Sequence, residues 1–160
     1  MLRVYISYFY QVRNFRRNLL PISTAISDPF WFHAGYKKEY VFLDKRGVVN
    51  GLRFEALSPD HRCSGECKGR SDCEDDPKHC DFLKHYGEQL SKINFSQFTK
   101  ELEGMAKRTQ KRFALDKVEV ALLVHEAPWN PCSERKVLQH WFEENGYQLE
   151  EFTLREDEKC

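Results

Sequence analysis

The chain has 160 residues, enough for one domain with a substantial core. Its 25 basic and 25 acidic side chains cancel to a formal net charge of zero, which removes any global electrostatic attraction to nucleic acid or to an acidic membrane surface. No apolar run is long enough to span a bilayer, and Met1-Leu2-Arg3-Val4-Tyr5-Ile6 lacks the apolar stretch and cleavage site of a signal peptide, so the expectation is a cytoplasmic protein with no membrane partner.

Arg3–Phe9 alternates and is rich in Tyr and Ile, which predicts a first strand. Tyr10 to Asn18 is polar and basic, a loop or one helical turn. Leu19–Ala25 reads as a second strand. A strand, a short crossover and another strand fit a parallel sheet. Asp28-Pro29 is a turn signal before Phe30-Trp31-Phe32-His33. Those aromatics either close a loop over the sheet or form a stacking wall for a base or another flat ligand. Asp44-Lys45-Arg46-Gly47 and Asn50-Gly51 are turn chemistry. Gly51–Leu57 could add a short strand, with Arg53 either ion-paired or open to an anion.

Cys63, Cys67, Cys73 and Cys80 stand in a stretch of Gly, Ser, Asp and Pro that has no core of its own. Something must offset the entropy of ordering such a loop. In a reducing compartment clustered cysteines favour metal over disulfides. Four thiolates can close a tetrahedral zinc site, so zinc is the expected cofactor, and with four protein ligands its role would be structural. An iron–sulfur cluster is the alternative. The gaps of three, five and six residues contain no Cys-x-x-Cys pair and match neither standard spacing. His61 and His79 flank the cluster and could replace a cysteine. Two disulfides or four free thiols are the readings without metal.

Asp81–Ile93 and Asn94–Phe113 carry apolar stripes at helical spacing, the second opening on a capping-box pattern at Asn94-Phe95-Ser96-Gln97. Lys107 to Arg112 is a basic helix end favoured by the dipole. Val118–Val124 is apolar on both faces and predicts a strand buried in a sheet. Asn130-Pro131 then reads as a helix start, Val137, Leu138, Trp141 and Phe142 as its buried face, Gly146 as its stop, and Tyr147–Thr153 as a last strand.

Pro131-Cys132-Ser133-Glu134-Arg135 would then occupy a helix N-terminus just beyond the carboxyl end of a strand, where α/β proteins place ligands. Free amides at Cys132 and Ser133, with Arg135 as a second contact, could hold an anion such as phosphate. The same field lowers a thiol pKa, which makes Cys132 a candidate thiolate, and Glu126 a candidate general acid or base. Tyr8, Tyr10 and Arg13 follow the first strand and can lie at the same sheet edge as substrate contacts. The plainer reading has Asn130 capping the helix, Glu134 answering the dipole, and Cys132 as a small buried residue. Cys-x-x-Arg is too short for the phosphatase pattern, in which five residues separate the two.

The strand Val120–Glu126, followed by Pro131-Cys132-Ser133-Glu134-Arg135 and a helix ending near Trp141-Phe142, resembles family four-eight-eight among the domains of unknown function. Its members typically close an apolar strand with Glu and place Cys-His-Arg at the start of the following helix. Val4-Tyr5-Ile6-Ser7-Tyr8-Phe9 also resembles that family's first strand. Here Ser133-Glu134 stands where a single His is usual, and the four-cysteine stretch is not general to the family. The resemblance implies an α/β domain with a parallel sheet and supplies no activity.

The expectation is therefore a single α/β domain over residues 1–160, with a mostly parallel sheet of roughly four or five strands, flanking helices, and a cysteine-rich metal loop at about 60–81. Two function classes follow. One is an enzyme acting on a nucleotide, nucleobase or nucleic acid through Cys132, Glu126 and Arg135. The other is a metal-stabilised binding or regulatory protein without catalysis, or an iron–sulfur redox protein.

Overall fold

The computed structural model of the chain describes residues 2–32, 41–60, 81–130 and 133–152. In chain order these contain β1 (Val4–Tyr8), β2 (Leu19–Ser23), β3 (Phe42–Leu43), β4 (Val49–Asn50), β5 (Leu52–Arg53), α1 (Asp81–Ser91), α2 (Phe95–Arg112), β6 (Glu119–Val124), α3 (Arg135–Glu144) and β7 (Glu150–Glu151). Single 3-10 segments cover Phe9–Asn14, Phe30–Phe32 and Glu55–Leu57. Five strands form a parallel sheet in the order β5-β2-β6-β1-β7, while β3 and β4 pair as an antiparallel ribbon. The mostly parallel α/β arrangement expected from the sequence is present.

β6 is the middle strand, and its composition explains why. Val120, Leu122 and Val124 point into one core with Tyr86, Leu90, Phe98, Leu102, Leu138 and Phe142 from the helices. Ala121 and Leu123 point the other way, into a second core with Phe9, Val12, Phe15 and Phe32. A strand apolar on both faces can be stable only between two covering layers. Each such side chain removed from water contributes about 1.5–3 kcal/mol.

Pro21 sits inside β2 without breaking it. The bonds from Glu119 N–H to Asn18 C=O and from Thr24 N–H to Leu123 C=O turn the even-numbered residues of β2 toward β6. The missing N–H of Pro21 therefore falls on the opposite side, where β5 pairs only from Ile22 onward.

The helical layer is fixed by local chemistry and by aromatic packing. Asn94 caps α2 by accepting a 2.9 Å bond from the Gln97 amide. The Gln97 side chain turns to Glu101 instead, so the expected capping box is only half closed. Phe95, Phe98, Trp141 and Phe142 join α2 to α3 with ring centroids 5.0–5.7 Å apart. Gly146, at φ +79°, ends α3, with Gly146 N–H bonded to Glu143 C=O and Tyr147 N–H to Phe142 C=O.

Two boundaries differ from the sequence reading. α3 begins at Arg135, not at Asn130-Pro131, because the Asn130 amide closes a turn on Ala127 C=O and Ser133 Oγ takes the Arg135 amide. Among the described residues of the Tyr147–Thr153 span, the last strand covers only Glu150–Glu151, since β1 offers register partners to those two residues alone. Cys63, Cys67, Cys73, Cys80, Cys132 and Cys160 lie outside the described residues, as do His33, His61, His79 and Pro131.

Candidate functional site

β1 and β6 pair from Val4↔Val120 to Tyr8↔Val124, so both end at the same sheet edge. The chain then leaves in opposite directions. After β1 it turns onto the face carrying Phe9, Val12 and Phe15, and after β6 it crosses to α3 on the helical face. Such divergence opens a crevice at the carboxyl ends of the strands. Tyr8, Tyr10, Arg13, Glu126, Ser133 and Arg135, all expected at a site, lie on the segments that leave this edge.

On the helical side the crevice holds a buried charged cluster. Arg135 is only 4% exposed. Its Nη1 donates to the Glu126 carbonyl at 2.7 Å, its Nε lies 2.6 Å from Glu151 Oε1, and its guanidinium sits 5.5 Å over the Tyr8 ring. The Arg135–Glu151 contact is a close ion pair without a well-directed hydrogen bond, since neither the Nε nor the Glu151 oxygens meet a partner in good geometry. Burial holds the Glu151 carboxyl above its usual range, and the charge of Arg135 opposes that rise. Ser133 Oγ accepts from the Arg135 amide at 3.2 Å, so the hydroxyl expected at an anion site serves as a helix cap.

Glu134 is the residue the sequence reading did not place here. It is 6% exposed and turned inward, where its carboxyl hydrogen-bonds the Glu126 side chain. Burial first, and the Glu126 charge second, push it up to about 8. The Glu151 carboxyl pairs with the Arg135 guanidinium, whose charge also partly offsets the rise at Glu134. Glu134 therefore keeps its proton at neutral pH. Tyr86, wholly buried, donates to Leu57 C=O at 2.6 Å, and burial together with the charge of Glu134 raises its phenol well above the ordinary range. Glu126 is only partly buried and connects the pair to the outside. An anion at the start of α3 would meet this acidic group rather than a bare helix end, which weakens the phosphate position expected from Ser133 and Arg135.

The same sheet edge also carries exposed aromatic rings. Tyr10, Trp31 and Trp129, from the segments after β1, β2 and β6, are 59%, 50% and 77% exposed. Tyr8 links two of them: it stacks on Tyr10 at 6.4 Å and meets Trp129 edge to face at 6.3 Å. Within the Phe30–Phe32 turn the two expected roles divide, because Phe32 is buried against Phe9 while Trp31 faces outward. Phe9, Tyr10, Arg13, Trp31, Asp44 and Arg46 line a cleft of about 660 Å³. Arg53, the other arginine at this edge, is fully engaged by Asp28, Glu55, Ala25 C=O and Ser58.

The aromatic stretch holding Trp31 was visible in the sequence as a signal; Trp129 and the meeting of Glu126 and Glu134 were not. No group of three or more metal-ligating side chains fit to hold an ion occurs among the described residues, and no described helix is long and apolar enough to cross a membrane. No family model, curated protein or solved structure matches the chain.

Proposed function

We propose that this protein is an enzyme that performs acid–base chemistry on a nucleotide, nucleobase or nucleic acid at the carboxyl edge of its parallel sheet. The observation that carries the reading is the burial of the Glu134 carboxyl beside Glu126, at the sheet edge from which exposed aromatic rings also project. A carboxyl that keeps its proton at neutral pH is a candidate acid, and the part-exposed Glu126 beside it is the candidate base. Arg135 touches neither rim nor open surface; held by Glu151 and the Glu126 carbonyl, it positions Glu126. Cys132 remains the candidate nucleophile in this proposal, and the four clustered cysteines remain a candidate structural zinc site. The α/β resemblance to family four-eight-eight is compatible with this reading and adds no chemistry to it.

The test is turnover of nucleosides, nucleotides and short oligonucleotides by the wild type and by Glu126→Gln. The expected result is activity in the wild type reduced by roughly 10²-fold or more in the variant, the usual contribution of a general acid or base. Selective alkylation of Cys132 reports separately on that thiol, and rapid modification at neutral pH is expected of a thiolate lowered below about 8.5. Undiminished turnover in Glu126→Gln, or none in the wild type on any of these substrates, overturns the proposal. In the second case the non-catalytic binding protein becomes the better reading.

A further inference from the structure

Arg13 is held ready for a ligand in a way that its neighbours are not. Its guanidinium sits over the Tyr10 ring, with the central carbon 3.8 Å from the centroid, and its Nε donates to the Tyr10 carbonyl at 3.1 Å. These two contacts tether the guanidinium and use one of its five donors. The cleft's other arginine is spent: Arg46 donates to Val12 C=O and Arg13 C=O, and it pairs with Asp44 at 2.8 Å. The charges of Arg46 and Asp44 cancel. Among the described lining residues, Arg13 leaves one positive charge in excess. Trp31 lines the same cleft, half exposed, its ring steadied edge-on by Phe9 and Phe32 at 6.2 and 6.0 Å.

We infer that this cleft binds a mononucleotide, with the base stacked on Trp31 and the phosphate on the Arg13 fork. The inference rests on the reading above and names the form of its substrate. A planar guanidinium tethered in this way matches a phosphate with two parallel hydrogen bonds and loses little freedom in doing so. A tryptophan face accepts any base. The volume of about 660 Å³ suits one small ligand. A single excess positive charge suits one phosphate.

The experiment is calorimetric titration of the full chain with AMP, GMP, CMP and UMP, the matching nucleosides, inorganic phosphate and a tetranucleotide. A monophosphate is expected to bind at least tenfold tighter than its nucleoside. Arg13→Ala removes that difference, Arg13→Lys restores only part of it, and Trp31→Ala weakens nucleoside and nucleotide alike by roughly 5- to 100-fold. Both positions are on the surface, and circular dichroism confirms that the variants fold. A tetranucleotide binding more than tenfold tighter than any mononucleotide overturns the inference in favour of a strand. Absence of nucleotide binding at millimolar concentration, or binding indifferent to Arg13→Ala, overturns it outright. The two proposals fail separately. Nucleotide binding that needs Arg13 and Trp31, without turnover, keeps the cleft and sinks the enzyme. Turnover that needs Glu126, with a KM unmoved by Arg13→Ala and Trp31→Ala, does the reverse.

Discussion

Replacing Glu134 with Gln should change how the stability of this protein depends on pH. In the unfolded chain the Glu134 carboxyl ionises near 4.5, and in the folded protein burial and Glu126 hold it up to about 8. Below the lower value both states keep the proton, and the residue adds no penalty. Between the two the unfolded chain releases a proton that the folded chain retains, so stability falls as pH rises, and above about 8 the loss is complete. At 1.36 kcal/mol per pH unit the full penalty is roughly 5 kcal/mol. About 2.5 kcal/mol of it develops between pH 5 and pH 7. The glutamine side chain is nearly the same shape and still donates to Glu126, but it has no proton to lose. Urea denaturation of both proteins at pH 5, 6, 7 and 8 should show the stability of Glu134→Gln gaining on the wild type by about 2–3 kcal/mol from pH 5 to 7. In thermal melts that is roughly 5–10 °C for a chain of this length. Glu151 titrates in both proteins and drops out of the comparison. Parallel curves, within about 0.5 kcal/mol across that range, would refute the raised Glu134 carboxyl.

Other perturbations test the scaffold. Phe98→Ala empties a fully buried position between Phe54, Phe95, Trp141 and Phe142, and should cost about 3–5 kcal/mol in urea. Asn94→Ala removes the α2 cap at the cost of about 1 kcal/mol, read in the same assay. Gly146→Ala has open space for its methyl but a φ of +79°, so a loss of about 1–2 kcal/mol is expected from backbone strain alone. Protein purified without oxygen should carry about one zinc per chain and no colour if the clustered cysteines close a structural site. Iron with sulfide would replace that expectation with a redox centre.

The parts of the fold legible in the sequence were those with a one-dimensional signature. β6 showed itself because Val120 to Val124 has no polar face to give to water. α2 showed its cap in Asn94 and its buried stripe in Phe98, Leu102 and Ala106. The start of α3 was misplaced because Asn130-Pro131 and Ser133 are both acceptable caps locally, and only the turn closed on Ala127 decides between them. Glu134 illustrates a second kind of loss. At a helix start a glutamate reads as an answer to the dipole. Its burial beside Glu126 depends on a loop path that no spacing encodes. Arg135 likewise looked available to a ligand until the edge strand brought Glu151 to it.

The order of the strands has a consequence for how the molecule comes into being on the ribosome. β1 and β2 are made first, yet they never pair with each other, because the slot between them belongs to β6. The Thr24 hydroxyl and amide both await the Leu123 carbonyl, 99 residues further along the chain. Until that segment emerges, two apolar strands have open edges, and contacts this distant in sequence form slowly. The nascent chain therefore passes through an interval in which these strand edges are exposed to aggregation, and the late arrival of a single six-residue strand closes that interval.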